Sequence, residues 1–375
     1  MAASEPTHAI RPEAGAQGDA PRTGAPRHLM AYLVAGTLLS VVARLLMSWT
    51  GYGFTWGHTD AGDFLRALYD SNERVDPGLL TAYQWSFAGA LTAVGALALA
   101  NRRAGRSGAL LLASVLVLVA VRELVGLVVD DNDFRDRYFG GTGLALPVVA
   151  SWILALLAAV AVLAVLLRAA ERPAPGAGRA ARGPGAVRYP VAGALLLVLG
   201  LISLGWFVHN LVQAESRRGD LLRDVVDASA LGYSSFAGDF QVFEVAYMVA
   251  AFVLGVLALL RRPGVRGAAF TLMGIQFYLV ARTVIGLTLA DSSNLRNGLV
   301  DPDGEPVMTW DYLFSTTQGT LSGLTNIAIA VIAPAVCALL FRAPEAAPER
   351  AGADGFRTDA VPAPAFGPPP PAGPG

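Results

Sequence analysis

The chain has 375 residues, with 28 basic against 29 acidic side chains, and it is 54% hydrophobic but only 15% charged. Soluble domains carry about 25% charged residues, so this composition excludes a large water-soluble globule, and it excludes intrinsic disorder outside short stretches. The near-zero net charge offers no basis for nucleic-acid binding, and the single cysteine, Cys337, excludes an intrachain disulfide.

A transmembrane helix needs about 20 mainly apolar residues. After a polar N-terminal tail (1–28), eight stretches qualify in turn: 29–49, 79–100, 108–129, 144–167, 190–213, 241–260, 267–290 and 318–341. The first is read as a retained helix, because a signal-peptide core is shorter, about 7–15 residues. A Pro/Gly/Arg linker (171–189) separates spans four and five, and a Pro-rich tail (343–375) follows span eight. The tails hold too few apolar residues to fold alone and are expected to be disordered, and the linker is read as a flexible cytoplasmic connection. The expected fold class is therefore an all-α polytopic integral membrane protein with eight transmembrane helices, and no cofactor is called for.

Orientation follows from the arginines, which are the only basic residues in the chain. The two tails, the linker and the loops at Arg102–Arg106 and Arg261–Arg266, counted from the span ends so as to include Arg168 and Arg342, hold 17 Arg and 8 acids. The other four loops hold 8 Arg and 19 acids. Both termini are thus predicted to be cytoplasmic in the cell (plasma or inner) membrane, with the acidic loops outside.

The chain also resembles itself. Shifted by 157 residues, Trp49 meets Trp206, and GDFLRALYD (62–70) meets GDLLRDVVD (219–227). Shifted by 160, GALALANRRAGR (95–106) meets GVLALLRRPGVR (255–266), Gln84 meets Glu244, Arg122 meets Arg282, and Asp131 meets Asp291. Shifted by 174, Arg168 meets Arg342. These matches predict a tandem 4+4 repeat, a first four-helix unit over 29–170 and a second over 190–342. Four spans per unit is an even number, so the units are parallel and related by an axis along the membrane normal.

Ionisable groups inside a span cost about 2.5–3.5 kcal/mol on insertion scales, so they usually face protein or water. The spans contain Arg44, Arg122, Glu123, Glu244, Arg282 and His209, with Gln84 as a polar companion. Arg122 precedes Asp130 by eight residues and Arg282 precedes Asp291 by nine, which is ~12–14 Å below the outer surface. The expectation is an outer-leaflet polar cluster, with Gln84, Arg122, Glu244 and Arg282 as its symmetric part. It serves either as structural ion pairs, with Glu244 and Glu123 neutralising Arg282 and Arg122, or as a site for an anionic solute or lipid headgroup. Proton coupling through Glu244 or His209 is a third reading.

The repeated outer segments 62–70 and 219–227 each read as a short amphipathic helix on the outer surface or over the bundle, with Asp63 and Asp220 as N-caps. Trp49 and Trp206 read as interface anchors. Gly89, Ala93, Ala251 and Gly255 are small enough for close helix crossings. No Ser-His-Asp set, metal-ligand spacing or nucleotide motif is present. The run PPPP (368–371) is a candidate site for a Pro-recognising protein partner. The function expected from all this is a non-enzymatic membrane protein of scaffold, assembly or sensor type, with the lipid bilayer as its medium. The alternatives are a transporter for a small anionic or amphiphilic solute, and an enzyme acting on a lipid-linked substrate at the outer face.

Overall fold

The computed structural model describes residues 24–56, 61–70, 82–100, 103–131, 134, 145–169, 187–230, 235–262, 264–297 and 317–342. The C-terminal tail, most of the linker and residues 1–23 lie outside these residues, as do the acidic run 301–305 and His58; residues 24–28, expected in the N-terminal tail, are the first turn of α1. Among the described residues every element is helical: α1 (Gly24–Trp56), α2 (Ala61–Tyr69), α3 (Ala82–Leu99), α4 (Arg103–Val129), α5 (Ala145–Arg168), α6 (Arg188–Gln213), α7 (Arg218–Arg223), α8 (Ser235–Leu259), α9 (Val265–Asn297) and α10 (Thr317–Phe341).

Seven of these helices are long and apolar enough to cross a membrane: α1, α4, α5, α6, α8, α9 and α10. The stretch predicted at 79–100 is α3, with 18 residues. It opens on Tyr83-Gln84-Trp85-Ser86, and that polar first turn leaves it outside the set. Large apolar side chains point outward along the long helices, among them Leu154, Leu157, Val160, Leu201, Val253 and Val331. An apolar exterior of this extent is the surface of a protein solvated by lipid.

Small residues set the packing. α1 crosses α3 at Gly36 and Gly95, where a Cβ on Gly36 would lie 2.7 Å from Leu99 Cγ and 2.8 Å from the Gly95 carbonyl. α6 crosses α8 at Gly193 and Gly255, where a Cβ on Gly193 would lie 2.8 Å from the Gly255 carbonyl. Ala251 is buried as expected. Gly89 and Ala93 are instead exposed, and nothing lies within 4 Å of a Cβ added at Gly89. On α3 the close approach therefore falls at Gly95, further along the helix than Gly89. α4 packs on α5, α9 packs on α10, and α4 and α9 meet at the centre. A Cβ on Gly267 would lie 2.0 Å from the Ala104 carbonyl, so there the two backbones touch.

Helix ends use side chains from neighbouring helices. The first N–H groups of a helix lack intrahelical acceptors, and the last carbonyls lack donors. Ser107 Oγ accepts the Ala268 N–H near the start of α9 (3.2 Å). Arg106 donates to the Leu166 carbonyl near the end of α5 (3.2 Å), and Arg266 donates to the Phe341 carbonyl at the end of α10 (3.2 Å). The Arg266 guanidinium also stacks over the Phe270 and Phe341 rings, 5.6 Å from each centroid. α8 closes with Arg261 in the left-handed region (φ 54°), and the Arg262 N–H reaches back to the Leu257 carbonyl (3.0 Å). That is a Schellman-type stop made without glycine.

Candidate functional site

The polar residues gather at the end of the bundle where α2 and α7 lie. α7 is short because the segment 219–227 does not continue as helix: after Arg223 the chain makes turns through Asp224, Asp227 and Ser229, all buried. Asp220 is exposed in the first turn of α7, and the N-cap position is Arg217, so Asp220 does not cap. Asp63 is the third residue of α2 rather than its cap. α2 buries Phe64 and Ala67, whereas Leu65 and Tyr69 are exposed, so its buried face departs from the apolar face expected from Phe64, Leu65, Leu68 and Tyr69.

Arg122, on α4, is the bulkiest of the fully buried side chains, 1% exposed. Its Nε donates to the Asp224 carbonyl (2.6 Å), Nη2 to Asp224 Oδ1 (2.8 Å) and Nη1 to Glu123 Oε1 (2.8 Å). Asp224 is 1% exposed and Glu123 0%. Two carboxylates thus share one guanidinium, and Asp224 Oδ2 has no hydrogen-bond donor. Burial pushes the Asp224 carboxyl above the usual range, Arg122 pulls it down, and the Asp227 charge pushes it up again. The Ala228 N–H donates to the Arg122 carbonyl (3.3 Å), and a Cβ on Gly126 would lie 3.0 Å from Ser229 N, so the turn after α7 is pressed onto α4. At the rim Arg223 bridges Asp131 (2.6 Å) and Asp227 (2.7 Å).

Arg282, on α9, makes the same first contact and not the others. Its Nε donates to the Ala67 carbonyl of α2 (2.7 Å). One turn earlier Tyr278 Oη donates to the Leu68 carbonyl (2.7 Å). Arg282 is partly exposed, and among the described residues its terminal amino groups have no hydrogen-bond or ion-pair partner. The expected Glu244–Arg282 ion pair is not formed. Glu244 stands partly exposed on α8 with no hydrogen bond, and both groups lie within electrostatic reach of Tyr83. Depth along a helix placed the two at one level, but it does not fix the direction in which each points.

The contact between α3 and α8 is aromatic. Tyr83 and Phe243 stack across it (centroids 6.2 Å, planes 16° apart), and Phe87 and Tyr247 flank Phe243 at 5.5 and 5.8 Å. The Tyr247 hydroxyl is buried with no partner.

The remaining predicted residues lie elsewhere or play other parts. Gln84 is buried on α3. Arg44 is exposed on α1 and takes no part in the cluster. His209 packs edge-on against Trp206 on α6 (5.5 Å), and its Nε2 is buried without a partner. Trp206 donates its indole N–H to Thr325 on α10 (2.8 Å), so it joins two helices. The Trp49 side chain lies outside the described residues. Asp224 was not singled out from the sequence, although it is the acid that stands where the matching segment has Ala67. Among the described residues no group of three or more His, Cys, Asp or Glu is placed to hold a metal.

The fold defines a class, the multi-pass α-helical membrane protein. Comparison with protein-family models, with curated proteins and with solved structures finds no match.

Proposed function

We propose that the chain is a non-enzymatic membrane protein of scaffold, assembly or sensor type. It is built from two four-helix units in tandem, residues 29–170 and 190–342, with α3 as the eighth span and both termini in the cytoplasm. Contacts at matching positions support the duplication. The Gly36–Gly95 crossing corresponds to the Gly193–Gly255 crossing at shifts of 157 and 160. The Arg106 and Arg266 bonds to helix C-terminal carbonyls correspond at a shift of 160. Arg122 Nε on the Asp224 carbonyl corresponds to Arg282 Nε on the Ala67 carbonyl at shifts of 160 and 157. Each arginine thus holds the outer segment of the other unit. The 17-to-8 distribution of arginines between alternate loops supports the orientation.

The observation that carries the non-transporting role is what fills the axis between the units. A permease needs a polar path there. Here the outer part of the axis is filled by Tyr83, Phe87, Phe243 and Tyr247, and at its inner end Gly267 lies against Ala104. The most buried cation, Arg122, is already engaged by Asp224 and Glu123. The test is thiol labelling in membranes, with Cys337→Ala as background and single cysteines introduced as Phe87→Cys and Ser107→Cys. Membrane-impermeant maleimide should label neither position from either side. Labelling at residue 87 from outside or at residue 107 from inside, above that of a buried control at Leu116, would establish an open path and favour the transporter.

A further inference from the structure

The two arginine sites differ in one respect that the chain itself explains. At Arg122 the terminal amino groups are met by carboxylates from Glu123 and Asp224. At the matching positions Arg282 finds Thr283 and Ala67. Thr283 spends its hydroxyl on the Leu279 carbonyl (3.1 Å), and Ala67 offers only its backbone carbonyl. The second site keeps the guanidinium, keeps the Nε anchor and lacks both acids. Its arginine is also partly exposed where Arg122 is sealed.

We infer that Arg282 binds an external oxyanion, a carboxylate or a phosphate, which takes the place that Glu123 and Asp224 occupy around Arg122. The inference rests on the duplication proposed above. A guanidinium presents two parallel N–H donors to such a group, and a bidentate pair of this kind is among the stronger hydrogen-bonded contacts. The Nε bond to Ala67 and the Tyr278 bond to Leu68 fix the fork under α2. Tyr83, stacked on Phe243, lies within electrostatic reach of Arg282. Two carboxylates lie within electrostatic reach without bonding to Arg282: Asp70, which acts on it directly, and Glu244, which shares Tyr83 as a neighbour. Glu244 replaces the Gln84 of the first unit, so its charge works against an incoming anion and sets a limit on affinity. Such a site suits a sensor of either a free anion or an anionic lipid headgroup from the outer leaflet.

The test uses the full-length protein with two probes. In neutral detergent, inorganic phosphate is titrated at constant ionic strength against chloride and the melting temperature is followed. In nanodiscs, phosphatidylglycerol is compared with phosphatidylcholine. A saturable rise in melting temperature with phosphate identifies a free anion, and a rise confined to phosphatidylglycerol identifies a headgroup; either supports the proposal. Arg282→Gln should weaken the response about tenfold or more, and Arg282→Lys, which keeps the charge without the fork, should weaken it less. Glu244→Gln should strengthen it severalfold, and Arg106→Gln at the other end of the bundle should leave it unchanged. No response to either probe in the wild-type protein would overturn the proposal, as would a response that Arg282→Gln retains in full. Protected thiols at residues 87 and 107 together with no anion response would sink this site alone and leave the non-transporting role standing.

Discussion

Replacing Arg122 by Gln should be among the most damaging single polar substitutions in the chain. The guanidinium holds Asp224 at 2.6 and 2.8 Å and Glu123 at 2.8 Å, and both acids are 1% exposed or less. Removing the cation leaves two buried carboxylates close to one another. Breaking a buried ion pair by deleting one partner costs about 3–5 kcal/mol, because the remaining charge must be neutralised or resolvated. The matching change, Arg282→Gln, removes one bond to a backbone carbonyl from a partly exposed side chain, which is a loss of about 1 kcal/mol. The two variants should differ by about 2–4 kcal/mol. At about 2–4 °C per kcal/mol, that is about 5 °C or more between their melting temperatures in detergent, read by tryptophan fluorescence. The cost has a pH signature. Without the cation, nothing offsets the burial that already holds the Asp224 carboxyl above its unfolded value, so stability is lost as pH rises and regained on acidification. Adding Glu123→Gln and Asp224→Asn to Arg122→Gln should recover much of the loss. If Arg122→Gln melts within about 2 °C of Arg282→Gln and shows no rescue by acid, the buried triad is not what holds this end of the bundle together.

Further expectations follow from individual contacts. Burial raises the Asp224 carboxyl, so the folded protein keeps a proton there at pH values where the unfolded chain has lost it. That contribution is fully present below the ordinary carboxylate range and disappears as pH rises through the raised value; melting curves of wild type and Asp224→Asn should therefore diverge over that interval, with wild type falling. Gly267→Ala places a methyl 2.0 Å from the Ala104 carbonyl and should lower stability by about 1–3 kcal/mol, whereas Gly89→Ala, in open space, should be neutral or mildly stabilising in the same melts. Reporter fusions after residues 104, 180 and 264 should behave as cytoplasmic and fusions after 133 and 302 as external; one strong inversion would refute the orientation.

Helix positions were legible in the sequence because lipid solvation writes them as long apolar runs. The stretch predicted at 267–290 is α9, Val265–Asn297, and that predicted at 190–213 is α6, Arg188–Gln213. The level of the polar residues along each helix was legible too. Their facing was not. Arg44 and Arg122 both lie in apolar helices, yet one is exposed and the other sealed, because all-round apolarity removes the periodicity that would reveal an inward face. For the same reason the Gly95 crossing was missed in favour of Gly89 and Ala93. Asp224 escaped because agreement between the two outer segments drew attention to shared residues. The informative position was the mismatch, Asp224 against Ala67, where one segment carries an acid aimed into the bundle and the other does not.

The bond between Arg122 and Asp224 spans 102 positions of chain, and synthesis runs from the N-terminus. At about 5–20 residues per second, the fourth helix waits ~5–20 s for the segment that completes its charge pairing. During that interval Arg122 has only the adjacent Glu123 for a counter-charge within α4. The first half of this protein is therefore an unfinished membrane domain until the second arrives. Its halves should be unable to mature separately, and the nascent first half should remain a client of the insertion machinery long after its own last apolar residue has left the ribosome.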